Sequence, residues 1–248
     1  MRTLVLIVAL AMSTPAMAFE GEIQLKGTDA AASGLAAMTV LISKNGDVSM
    51  ELTTRDPDGA TREVGYLKPS KGRYNYMLDY KRKRALQVPK DTFDNVDKSS
   101  PPDDALQKAN VQVEKLGHEK IAGHATRHIR ITDKDTGGVS DLWLSDKYPA
   151  QLWSQAMGFG DDGPNDPVQA WNEAAEKLGF KPGFPMKVLN QDRRGAQDGL
   201  EVVKIAEKKV DDKRFFVPAD YEIQEMHMPA RGPGDMPNKA PANAGEAE

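Results

Sequence analysis

Three of the four histidines of this chain lie close together, His118, His124 and His128, with Asp141 not far beyond them. Histidine is the commonest metal ligand and, beside an orienting carboxylate, a common general base. Metal ligands must converge to about 2 Å from one ion. The run His124-Ala125-Thr126-Arg127-His128-Ile129-Arg130-Ile131 alternates as a strand does. Its His124 and His128 then point the same way but stand about 13 Å apart. A shared metal would need His118 to fold back between them, so the expectation is strand histidines and no metal. An enzyme built here would have to bring His124, His128 and Asp141 into one cleft.

Other reactive patterns are absent. There is no cysteine, which excludes disulfides, thiolate catalysis and cysteine metal sites. No serine sits in a Gly-x-Ser-x-Gly elbow, and no phosphate-cradling or dinucleotide glycine motif follows a strand. Asp133-Lys134-Asp135-Thr136-Gly137-Gly138 superficially suggests a calcium loop but lacks the spaced ligands and final glutamate of one. It reads as a polar hairpin tip. Asp166 reads as a helix cap. No catalytic residue, metal or cofactor is therefore expected.

The remaining candidates are adaptable apolar side chains on predicted strands: Met38, Val40, Met50, Leu52, Tyr66, Tyr74, Tyr76, Trp143 and Met186, with Met77 among them. Methionine accepts varied apolar partners, and tyrosine and tryptophan join an apolar body to a polar tip. Such a set can line a lipid cavity or fill an ordinary core. Lys81-Arg82-Lys83-Arg84 is a compact basic tip, suited to phospholipid heads or an acidic partner, or simply to solvent.

The elements that must position these residues read mainly as strands. Segments 19–26, 36–43, 48–53, 61–67, 74–78 and 85–88 form a predicted meander of about six antiparallel strands, punctuated by turn residues. Asn45-Gly46 predicts a type I′ hairpin. Val48, Met50 and Leu52 alternate with polar residues, which predicts one buried face. Strands resume at 112–120, 124–132, 139–145, 184–192 and 200–208, and Phe215-Phe216-Val217-Pro218 docks on something apolar. A helical insert is expected over 148–179. Its first helix is roughly 149–157. Its second starts at Asp166-Pro167 and carries Val168, Trp171, Ala174, Ala175 and Leu178 at helical spacing, with Gly179 as its stop.

The first eighteen residues join Arg2 to an apolar run and end in Ala16-Met17-Ala18, the pattern of a signal peptide cleaved after Ala18. The run is too short to span a bilayer. The expected product is a periplasmic protein of one domain, 19–226, followed by a disordered tail, 227–248, rich in Pro, Gly, Ala and Glu. The net charge of −4 provides no global attraction to nucleic acid.

From residue 121 on, several motifs occur in order: Ile121-Ala122-Gly123-His124, Asp141-Leu142-Trp143-Leu144-Ser145, Gly183-Phe184-Pro185-Met186, and Phe216-Val217-Pro218-Ala219-Asp220-Tyr221. The set resembles the DUF4412 family of exported bacterial proteins. More distantly, it is similar to the fold of the periplasmic lipoprotein carrier LolA and its outer-membrane acceptor LolB. The family often carries a cysteine after the first motif, where this chain has His124-Ala125-Thr126. The resemblance implies a mainly β fold, α+β in class. It implies a curved antiparallel sheet or incomplete β-barrel packed on a few inserted helices and enclosing an apolar cavity. It implies no catalytic residue. Its expected partners are a lipid or lipoprotein acyl chains; the alternative is an envelope protein-interaction module without a cavity.

Overall fold

The computed structural model describes residues 19–28, 34–56, 58–90, 110–157, 175–195 and 197–226. A first meander comprises β1 (Gly21–Gly27), β2 (Leu35–Ile42), β3 (Val48–Arg55), β4 (Thr61–Lys68), β5 (Tyr74–Asp79) and β6 (Arg84–Pro89). A second comprises β7 (Val111–Ile121), β8 (His124–Asp133), β9 (Val139–Ser145), β10 (Phe184–Gln191) and β11 (Gln197–Glu207). The short β12 (Glu222–Glu225) follows.

All twelve strands share one sheet, in the order β12-β6-β5-β4-β3-β2-β1-β11-β10-β9-β8-β7. Sequence neighbours pair within each meander; the connection between β9 and β10 is the long one, residues 146–183, and carries the helical part. The two meanders are joined by the antiparallel pair β1–β11, which unites the ends of the described domain. The sheet is curved and open: β12 and β7 are its edges, and no barrel closes among the described residues. Register shifts occur at Leu35/Ala37, Lys115/Gly117, Pro185/Lys187 and Gln24/Leu25. Each inserts an extra residue and adds local twist.

The β2–β3 hairpin lies where Asn45-Gly46 places it, but its turn is not type I′. Gly46 has φ +84°, while Asn45 is absent from the left-handed residues. Gly46 N donates to Ser43 O at 3.0 Å, and Ser43 N to Asp47 O at 2.9 Å. This is the three-residue loop that ends in a left-handed glycine. The Ser43 hydroxyl, donating to Asp47 Oδ2 and accepting from Asp47 N, favours the longer loop.

One face of the first meander carries the main core: Ile23, Leu25, Met38, Val40, Ile42, Val48 and Met50. Helix α1 (Gln151–Met157) supplies Leu152 and Ala156 to it. A second cluster joins Ile129, Leu142 and Leu144 to Ala175 and Phe180. Only the last turn of the expected second helix, residues 175–177, is described. Gly179 stops it with φ +76°, and Phe180 N reaches back to Ala175 O at 3.0 Å. The rest of that helix, the signal segment and the tail lie outside the described residues.

The opposite face of the first meander is crossed by a strap, residues 208–221. Val210 and Phe215 bury Leu41, while Val217 and Tyr221 cover Leu67, Leu78 and Ala85. Arg214 pairs with Glu51. The strap then delivers β12, which lies parallel to β6 and has no counterpart among the predicted strands. Gly65 is required beneath it: a Cβ there would collide with the Tyr80 ring and hydroxyl.

Candidate functional site

Cross-strand register aligns the apolar candidates into rows. In one row Ile23 faces Val40, Val40 faces Met50, Met50 faces Tyr66, and Tyr66 faces Met77. Partners in a register share a face. Exposure rises along this row: 0% at Ile23 and Val40, 7% at Met50, intermediate at Tyr66, 46% at Met77. The neighbouring row, Leu25, Met38, Leu52 and Val64, rises likewise from 2% to 37%. Both rows leave the core under cover and reach solvent at β4 and β5.

Asn75 stands on the same face, two residues before Met77, and pairs with the buried Val88. It is buried, yet its Oδ1 has no hydrogen-bond partner among the described residues. Diagonal to it is Tyr66, whose hydroxyl is pushed above its usual range by burial. Tyr66 therefore stays protonated and able to donate. Nothing in the sequence singles out Asn75: its alternation with Tyr74, Tyr76 and Leu78 reads it as an outward-facing polar residue.

The nine candidates do not all meet. Met38, Val40 and Met50 are core residues of these rows, and Leu52 and Tyr66 pack against them half-buried. Met186, fully buried in the same core, is the extra residue of the β10 bulge. Tyr74 and Tyr76 alternate with Asn75 and Met77 and so stand on the strap face. Tyr76 packs there with Leu67 and Leu78. Trp143 is 6% exposed and packs in the same main core as Met38, Val40, Met50 and Met186, while its register row runs through His128, Lys187, Glu201 and Lys26.

That second row is polar. His128 stacks on Trp143 with centroids 4.0 Å apart and planes at 15°. Lys187 Nζ lies 4.7 Å from the same indole centroid and 3.4 Å from Glu201, which Lys26 meets at 3.3 Å. His128 Nε2 is 3.0 Å from Asp141, and Nδ1 is 3.6 Å from Glu119. Both ring nitrogens thus face carboxylates. Arg130 Nε and Nη2 donate to the two Asp141 oxygens at 2.9 and 2.8 Å. Burial alone would raise the Asp141 pKa, but the hydrogen bonds from Arg130 and His128 outweigh it and lower it. These contacts tie β7, β8 and β9 together.

The other histidines go elsewhere. His124 packs edge-on against Tyr148 at 5.5 Å, and burial, with Lys147 nearby, lowers its pKa. His118 lies opposite Arg127, on the face away from His128. Among the described residues no group of three metal-ligating side chains forms. At the 133–138 tip, Asp133 accepts from Asp135 N, Thr136 N and the Thr136 hydroxyl, so the turn itself uses both of its oxygens.

The basic tip is an internal clamp. Arg82 pairs with Asp79 at 3.3 Å, Lys83 with Asp220 at 2.8 Å, and Arg84 with Glu222 at 3.3 Å. Two of these three pairs hold the end of the strap and β12.

A family model described as "Domain of unknown function (DUF4412)" matches residues 19–221. No curated protein matches the chain. Among solved structures, an uncharacterized conserved protein from Thermus thermophilus is similar with TM-score 0.44 and 8% identity. The match covers 84% of this chain and 91% of that one. The Mycobacterium tuberculosis lipoprotein LppX is similar with TM-score 0.39 and 11% identity, over 77% and 89% of the two chains. A putative outer membrane lipoprotein-sorting protein domain from Vibrio parahaemolyticus has TM-score 0.26 and 10% identity, over 79% and 87%. No helix of the described residues is long and apolar enough to cross a membrane.

Proposed function

Because the chain belongs to the DUF4412 family, which brings no activity with it, we propose from its geometry that it binds an acyl chain and catalyses no reaction. The observation that carries this is the graded exposure of the apolar rows, from Val40 at 0% to Met77 at 46%. A ligand laid on Val64, Tyr66 and Met77 continues the core surface rather than starting a new one. Each methylene buried there contributes about 0.8 kcal/mol, so eight contribute roughly 6 kcal/mol before the cost of immobilisation. Methionine at 38, 50 and 77 lets the row adapt to chains of different shape.

The proposed setting is the periplasm, entered by way of the signal segment and cleavage after Ala18. A lipid or the acyl chains of a lipoprotein would then be the ligand. The chain should be purified natively and its organic extract analysed by mass spectrometry, alongside uptake of a fluorescent acyl probe. Co-purified lipid with saturable uptake is the expected result. No lipid and no uptake would end the proposal. The alternative of an envelope-protein module draws on the Lys81–Arg84 tip and the tail after Pro229. Three residues of that tip are engaged within the chain.

A further inference from the structure

The unpartnered Asn75 oxygen says more about the ligand than its acyl chain does, and this step rests on the acyl-binding reading above. A buried carbonyl without a donor normally costs about 1–3 kcal/mol, so such groups are rare and mark strain, water or a ligand. Asn75 is 6% exposed, and its Oδ1 is the orphaned atom. It stands on the acyl-row face, one alternation from Met77 and diagonal to Tyr66. From the solvent-facing Met77 the face therefore leads, over about 7 Å, to a buried acceptor.

We propose that the ligand is an amphiphile with an uncharged donor head, a hydroxyl or an amide N–H, whose proton is given to Asn75 Oδ1. The head enters first and the chain lies back over Tyr66, Met77 and Val64. Tyr66, held protonated by its burial, has a donor for the head's own oxygen. An ionised carboxylate is the wrong head, because it has no proton to give and would set a buried charge against an acceptor. Lys68, on the neighbouring strand, already has a partner of its own.

The test is competition against a fluorescent acyl probe on the full chain, using dodecanol, dodecanamide and methyl dodecanoate. These share a chain length, and the ester has no donor. Wild type should prefer the alcohol and the amide by about tenfold, the worth of satisfying a buried acceptor. Asn75→Leu and Asn75→Ala should lose that preference yet keep ester binding, which also shows that each variant is folded. Equal binding of all three by wild type, or a preference that survives both substitutions, overturns the inference. Failure of every compound to displace the probe, or of the probe to bind, instead defeats the acyl-binding reading.

Discussion

Met77→Asp separates binding from folding. Met77 is 46% exposed, so the native state gains little from its burial. The loss of stability should be about 1 kcal/mol, set mainly by the poor strand propensity of aspartate. Met50, at 7% in the same row, should cost about 2–5 kcal/mol as Met50→Ala. Binding should rank them differently. A methionine side chain covers roughly three methylenes of an acyl chain laid across it, worth about 2.4 kcal/mol, or roughly 50-fold in Kd. A carboxylate in that place removes the contact and adds a desolvation penalty. Urea denaturation and titration with a fluorescent acyl probe, run on both variants, give the comparison. Met77→Asp binding as tightly as wild type would refute the argument that the exposed end of the row is the ligand surface. A loss of stability equal to that of Met50→Ala would refute the exposure gradient itself.

Phe215→Ala should release the strap, because Phe215 buries against Leu41 and Val210. Hydrogen exchange should lose protection at 222–226 first, with a local cost of about 3–5 kcal/mol. Gly65→Ala should displace the Tyr80 ring and cost about 1–3 kcal/mol by denaturation. The Tyr80 hydroxyl is pushed up to about 12, chiefly by burial. Its contribution is complete below the ordinary value of 10.0 and declines as pH rises toward the folded value, so Tyr80→Phe should lose less stability over that alkaline range. The Asp141 pKa is lowered in the fold, so its contribution is complete above 3.8 and disappears as pH falls through the folded value. Acid unfolding of Asp141→Asn should accordingly be less steep.

Much of the sheet is legible locally. Period-two alternation around Met50 and turn residues such as Asp56 and Gly59 mark the strands, since both signals act within a few residues. β12 is not legible. Glu222-Ile223-Gln224-Glu225 has no strand pattern of its own; it is held by parallel pairing with β6 and by ion pairs from Lys83 and Arg84. The same pairs explain why the basic tip reads from sequence only as a docking surface or a solvated tip: the acidic partners of Lys83 and Arg84 lie more than a hundred residues away in sequence. The hairpin at Asn45 shows a smaller case, in which Ser43 and Asp47 override the dipeptide preference.

Residue type and spacing suffice to establish a mainly β chain, most of its strands in order, and no cysteine chemistry. Those properties follow from side-chain period and composition, which need no partner. Which candidates share a surface is settled by long-range pairing instead. Strand order joins β1 to β11 and sets Met38, Val40, Met50, Leu52 and Tyr66 in adjoining rows. Alternation sends Tyr74 and Tyr76 to the strap face, and register places Trp143 beside His128 and Lys187. Register depends on pairing with a distant strand, and a shift of one residue exchanges the faces. The orphaned oxygen of Asn75 is a property of that packing and has no counterpart in residue type or spacing.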